Sequence, residues 1–390
     1  MIVRQFLQWV RNAPAGERAE ATGALARAYL YSELSADDAA AAEGAMLMLL
    51  DDPSPLVRRA LADALAASPS APAAVVHALA SDQLQIAAPV LALSPLLVDA
   101  DLVDTIATGC PSVQAAIASR VALPAAVSAA IAEVASGEAC LILIENPGAD
   151  IAPFSIDRIV ERFGHLAAIR EPLLARDDLA TATRLTLVTK LSETLAGFVT
   201  GRNWLDAEHA QRVTREACEK ATISLAAEAP DDEVRPLVRH LCESGQLTAG
   251  LILRALLSGN VTMFEEAMAE LADMPIARVS GLIYNGGFSG LRALFDKAGL
   301  PASTYPAFKA AIEAMREGGF IGDSAGAAQL KRRMIERVLT SCENDELGDM
   351  APLVTLLHRF ATEAAREEAR MFCDGLVAED FEADAQSLAA

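Results

Sequence analysis

A chain of 390 residues is longer than one compact core usually holds, so two domains or one elongated array is expected. Apolar residues make up 53% and aromatics only 5%, a composition that suits alanine-rich helices packed closely on helices. The formal charge of −21 is spread over both halves: residues 1–150 carry 7 Arg against 17 acids, and the remainder 25 basic residues against 36 acids. Such a diffuse negative field disfavours nucleic acid and anionic lipid as partners.

The first eleven residues, MIVRQFLQWVR, place Ile2, Val3, Phe6, Leu7, Trp9 and Val10 on one broad helical face. Arg4 and Arg11 fall before any apolar core long enough for export, so the segment is not read as a signal peptide. Docking over the first unit of an array, as an end cap, is the expectation. The most apolar later stretch, residues 84–98, is interrupted by Pro89 and Pro95 and is too short to span a bilayer. The six cysteines (110, 140, 218, 242, 342 and 373) form no CxxC and read as reduced core residues. A cytoplasmic protein without stable membrane association is expected.

DDPSPLVRRALADALAA, residues 51–67, carries the fold. Ser54 is a good N-cap, and Pro55 falls at the first helical position, where a missing N–H costs nothing. Leu56, Val57, Ala60, Leu61, Ala64 and Leu65 line one face at period 3.6. Comparable helices begin near Ile86, Val113 and Leu141, at steps of 29, 27 and 28 residues, with second helices at 71–80, 101–108 and 123–135. Two short helices cannot bury their apolar faces alone, but stacked pairs can. The unit resembles a HEAT-type repeat in Asp51-Asp52-Pro53, Val57-Arg58 and the small and apolar run Ala60 to Leu65. Where Arg58 stands, the later units carry Ala87 and Gln114, so an Asp–Arg ladder is not expected to run on through them.

Residues 145–155, ENPGADIAPFS, hold the densest cluster of helix breakers near the middle of the chain. They predict a boundary between a repeat array, residues 1–150, and a C-terminal helical domain, residues 151–390; a turn inside one continuous solenoid is the alternative. Beyond it, long apolar–polar runs follow Asp177-Asp178 and Asp206, and a shorter one follows Asp231-Asp232. Acids at helix starts satisfy free N–H groups and oppose the dipole, so these read as caps rather than as acid–base pairs. The turns SGQLT (244–248), SGNVT (258–262) and GGFS (286–289) end one helix and start the next. Thr262 and Glu265 have capping-box spacing. YNGGFSG, residues 284–290, lacks the Lys-Ser/Thr of a P-loop and reads as a helix–helix corner.

ALLSGNVTMFEEAMAEL (255–271) followed by VSGLIYNGGFSGLRALFDKAGLP (279–301) resembles the alphaproteobacterial family known as domain of unknown function 2336. The resemblance is best over roughly 150–310. It implies helical repeats and a bacterial cytoplasm, and brings no catalytic residue with it.

No GxSxG, HExxH or dinucleotide fingerprint is present. The nearest metal set is His209, Cys218, His240 and Cys242, whose spacings point the members of each pair to opposite sides of an ideal helix. No catalytic, cofactor-binding or metal residue is therefore assigned. Lys331, Arg332 and Arg333 form the only short basic cluster, among acids. The expected product is an all-α, HEAT-like α-solenoid with a C-terminal helical domain, acting as a non-enzymatic scaffold for a protein or peptide partner. The alternative is an enzyme or small-molecule sensor on a helical-repeat frame, with a pocket between the halves. Partner-binding candidates are Arg58 and Arg59 on the array. Trp204 in the turn GRNWLD is a third, read as an exposed anchor or as a staple over the following helix.

Overall fold

The computed structural model describes residues 12–285 and 287–318, with residues 6, 8–10, 332, 334–340, 354–366, 369, 370 and 373. Every regular element among them is helical, and the only β pairing is an isolated bridge between Leu123 and Ala149. The expected all-α class is what the chain adopts. Residues 1–179 and 180–390 form two compact units.

The first unit contains α1 (Ala15–Tyr31), α2 (Ala36–Leu49), α3 (Pro55–Leu65), α4 (Ala73–Ala80), α5 (Leu84–Leu93), α6 (Asp99–Thr108), α7 (Pro111–Ala118), α8 (Ala125–Val134), α9 (Gly137–Glu145), α10 (Pro153–Phe163) and α11 (Ala167–Leu174). Helices α1, α3, α5, α7, α9 and α11 pack in series as one layer, and α6, α8 and α10 as a second. Val57, Ile86, Ile117, Ile131, Leu143 and Ile159 are fully buried along this stack. Leu56, placed by its spacing on the same face as Val57, falls off that face and is 60% exposed. The repeat does not stop at Leu141. Ile169, 28 residues further on, is buried in α11 and continues the first layer.

The breaker cluster at 145–155 is thus a turn within the array, and the boundary expected at residue 150 is corrected to Leu179. The turn is bound to the loop one repeat back. Leu123 donates its N–H to Gly148 O at 3.0 Å, and Asp150 N–H returns to Leu123 O at 2.9 Å. Asn146 Nδ2 donates to Ala118 O and Arg120 O at 2.8 and 2.7 Å. A Cβ at Gly148 would lie 1.8 Å from Val121 O, so only glycine fits this approach. Limited proteolysis is therefore expected to spare 145–155 and to cut first near Arg176, releasing a fragment of residues 180–390 that melts cooperatively. Early cleavage at 145–155 would contradict this placement.

The second unit contains α12 (Thr181–Gly201), α13 (Ala207–Glu228), α14 (Asp231–Glu243), α15 (Ala249–Leu257), α16 (Val261–Ala272), α17 (Ile276–Tyr284), α18 (Gly287–Lys297) and α19 (Tyr305–Gly318). All seven residues from Leu251 to Leu257 are buried, so α15 is a central helix apolar on every side except at Arg254. Phe264 stacks on Phe308 at 6.1 Å, and Phe295 meets the same ring edge-on at 5.4 Å. Gly245, Gly259 and Gly287 take φ of +68°, +78° and +58°, as the three predicted turns require. Of the expected caps, Asp206 accepts from His209 N–H and Thr248 from Leu251 N–H. The capping box at Thr262–Glu265 does not form: α16 starts two residues earlier than that box requires, capped by Asn260, and Glu265 accepts from the Ser280 hydroxyl instead.

Candidate partner-binding surfaces

Arg58 does not offer a free guanidinium. Its Nε and Nη2 clamp Asp82 at 2.7 and 3.3 Å, and its Nη1 reaches Asp52 O at 2.5 Å. Arg18 holds Asp52 in the same bidentate way at 2.9 Å. Burial alone would raise Asp52 and Asp82. The arginine bonds, with the N–H groups of Ser54 and Gln83, win and hold both carboxyls below their ordinary values. An Asp–Arg ladder therefore knits the first units, and Arg58 is a structural residue.

Beyond it the chemistry changes while the positions persist. Gln114, in the place of Arg58, is buried between Ile106 O and Ser136 N–H. Arg170, two repeats later, is buried and donates to Gly164 O and His165 O. Arg120 caps the end of α5 through Leu91 O and Ser94 O at 2.6 and 2.7 Å, and Arg162 does the same for α8 through Ala132 O and Ala135 O.

Arg59 points the other way. It pairs with Asp63 at 2.7 Å, reaches Gln85 O, and remains about half exposed. Asp63 leads into an open groove of about 780 Å³ between α1 and α3. Ala19, Ala60 and Ala64 floor it, the Arg27 guanidinium lies over Gly23, Glu20 and Asp63 complete the lining, and Tyr31, 79% exposed, stands at one end.

Trp204 lies between α12 and α13, 64% exposed, edge-on to Phe198 at 5.8 Å. Arg202 covers both rings, 4.6 Å from that of Phe198 and 5.7 Å from that of Trp204. Trp204 thus packs back on α12 rather than stapling α13. A groove of about 680 Å³ runs along this hairpin over Ala196, Gly197, Ala207 and Ala210, toward Glu219 and the turn at Gly245.

Among the described residues of the second unit, the most buried charge is Arg254, 5% exposed in α15. Its Nη2 lies 3.2 Å from Glu363, its Nε 3.9 Å from Glu219, and its guanidinium 4.4 Å above the Phe360 ring. Burial pushes Glu219 upward from its ordinary value, opposed by Arg254 and Arg215. No sequence signal marked this cluster, because its members lie far apart in the chain.

His209 meets Arg212 at 2.7 Å and His240 meets Thr186 at 3.1 Å, so the four-residue metal set is not assembled. Among the described residues no group of His, Cys, Asp and Glu is placed to hold a metal ion. Of the cysteines, Cys140 is buried, but Cys110, Cys242 and Cys373 are exposed and Cys218 is half-buried, so the core reading holds for one residue; Cys342 lies outside the described residues. Much of the N-terminal apolar segment, and Lys331 and Arg333, also lie outside them. No described helix is long and apolar enough to cross a membrane.

Serially packed helix pairs, with a second unit built around a buried helix, define an all-α helical-repeat protein. The chain belongs to the family of uncharacterised proteins conserved in bacteria, DUF2336, whose profile matches residues 86–347. That match begins inside the array and spans the turn at 145–155. No curated protein and no solved structure gives a match.

Proposed function

We propose that this chain is a non-enzymatic scaffold of the bacterial cytoplasm that holds an amphipathic helix of a partner protein in the α1–α3 groove. The observation that carries the reading is the groove's make-up. A floor of Ala19, Ala60 and Ala64 lets a helix backbone approach closely, and Tyr31 offers a large anchor at low entropic cost. Glu20, Arg27, Asp63 and the adjacent Arg59 supply charges of both signs to set register.

A photoreactive amino acid at Tyr31, introduced in the native bacterium, is expected to give one discrete protein adduct. The adduct should disappear when Ala60→Trp fills the floor. A second probe at Val121, 83% exposed and elsewhere on the array, should give none of it. Identical adducts from both probes, or an adduct indifferent to the filled floor, would overturn the reading.

Nucleic acid is not the proposed partner. Against a charge of −21, random-sequence duplex DNA at physiological salt is expected to give no complex of micromolar or tighter affinity in a fluorescence anisotropy titration.

A further inference from the structure

We propose that the cavity beside Arg254 in the second unit is a binding site for a small organic carboxylate, which takes the place of Glu363 on the guanidinium.

Arg254 is more buried than its bonding accounts for. It is 5% exposed, and a buried charge is tolerated where it is both paired and hydrogen-bonded. A guanidinium brings five N–H donors to be satisfied. Among the described residues Arg254 makes one hydrogen bond, from Nη2 to Glu363 at 3.3 Å. Its Nε and Nη1 make none; Nε is shut off from solvent, with Glu219 3.9 Å away. The arginines of the array are held more closely. Arg18 and Arg58 grip their aspartates bidentately, with bonds as short as 2.9 and 2.7 Å. Charge-assisted bonds of this kind run at about 2.7–2.9 Å, so the Glu363 contact is loose, and the most buried guanidinium of this unit is the one left short of acceptors.

An acceptor has room beside it. A cavity of about 230 Å³ adjoins Arg254 between α13, α15 and the helical residues 354–366. Ile223, Leu257, Ile335 and Phe360 line it with carbon. Lys220 and Ser258 stand at the same cavity, and neither side chain has a hydrogen bond or ion pair among the described residues. Ser224, also in the lining, is turned to Glu228 at 3.4 Å. Two cations and a hydroxyl beside an apolar wall fit an oxyanion carried on a small carbon body. Glu363 identifies the head group, because what Arg254 already holds there is a carboxylate. The Glu363 side chain is 37% exposed, so it can turn out to water and leave the guanidinium to a ligand. The surrounding charges permit the exchange. Glu219 lies in the field of Arg215 as well as of Arg254, and Glu216 is paired with Arg359. With Glu363 turned out, Arg254 and Lys220 outweigh Glu219 by one charge, which one carboxylate cancels.

Isothermal titration of the full chain with benzoate is the test. Binding is expected with a dissociation constant of about 1 mM or tighter. Benzyl alcohol, the same ring without the carboxylate, should give no binding heat at the same concentrations. Glu363→Gln, which removes the competing charge, should tighten benzoate by about 10-fold. Lys220→Met, at an exposed position, should weaken it by about 10-fold. Ala227→Trp, on the exposed rim of the cavity, should abolish binding with the circular dichroism melt retained. Arg254 itself stays in place in every variant, so that the unit remains folded. Absence of binding at about 10 mM benzoate would overturn the proposal. So would a Glu363→Gln protein that binds no tighter, or an Ala227→Trp protein that binds as the wild type does. Benzyl alcohol or inorganic phosphate binding as tightly as benzoate overturns it equally.

Discussion

Replacing Arg254 with alanine is expected to destabilise residues 180–390 by about 3–5 kcal/mol, read from urea denaturation. The guanidinium is 5% exposed, faces Glu219 and Glu363, and lies over Phe360. Its loss leaves two carboxylates without their shared cation and empties the space above the ring. The pH dependence separates charge from packing. Glu219 is already raised by burial and Arg254 opposes the rise, so the substitution should raise it further. A carboxyl raised in the folded state gives its stabilising contribution below the unfolded value, and that contribution fades as pH climbs through the folded value. The deficit of the Arg254→Ala protein should therefore shrink at about pH 4 relative to pH 7.5. A pH-independent deficit would assign the effect to packing over Phe360 alone. Arg254→Lys should recover only part of the loss, because an ammonium cannot serve both acids and stack on the ring.

Arg58→Ala is the second large effect, at roughly 2 kcal/mol in residues 1–179. Here the sign with pH is opposite. Asp52 and Asp82 are lowered in the folded state, so their contribution is present above the unfolded value of about 4 and is lost as pH falls through the folded values. The wild-type melting temperature should drop between about pH 5 and pH 3 more steeply than that of the variant. Parallel curves would mean that the ladder adds nothing electrostatic. Arg59→Ala, one residue along, removes an exposed i,i+4 pair with Asp63 and should shift stability by no more than about 0.5 kcal/mol.

These contrasts mark how far the sequence could be read. Val57, Ile86, Val113 and Leu141 announced the repeat because burial of one helical stripe imposes its spacing directly on residue type. The same spacing reaches Ile169, but Pro147, Gly148 and Pro153 looked like a domain edge. Breakers mark a turn, and only the bonds from Asn146 and Asp150 back to 118–123 tell an inter-repeat turn from a linker. Arg58 and Arg59 are neighbours in sequence with opposite roles, one clamped between two aspartates and one on a groove rim, because adjacent helical positions point about 100° apart. The Arg254 cluster was illegible for another reason. Glu219, Arg254 and Glu363 span 144 residues, and no local pattern constrains such a meeting. The exposed state of Trp204 was foreseen as one option, but its partner Phe198 and its cover by Arg202 depend on the turn between two long helices.

The carbonyl-capping side chains of the array have a consequence for how such proteins change length. Arg120 reaches back 29 and 26 residues, Asn146 28 and 26, and Arg162 30 and 27. Each bond thus measures one repeat, in whichever layer it lies. Copying or excising a whole 28-residue module restores every such bond with a neighbour of the same kind, and the stack closes again. Adding or deleting one residue within a helix turns the donor by about 100° and strands both it and the carbonyls it served. Lineages of this architecture should therefore differ in length by whole modules, with single-residue indels confined to loops that carry none of these donors.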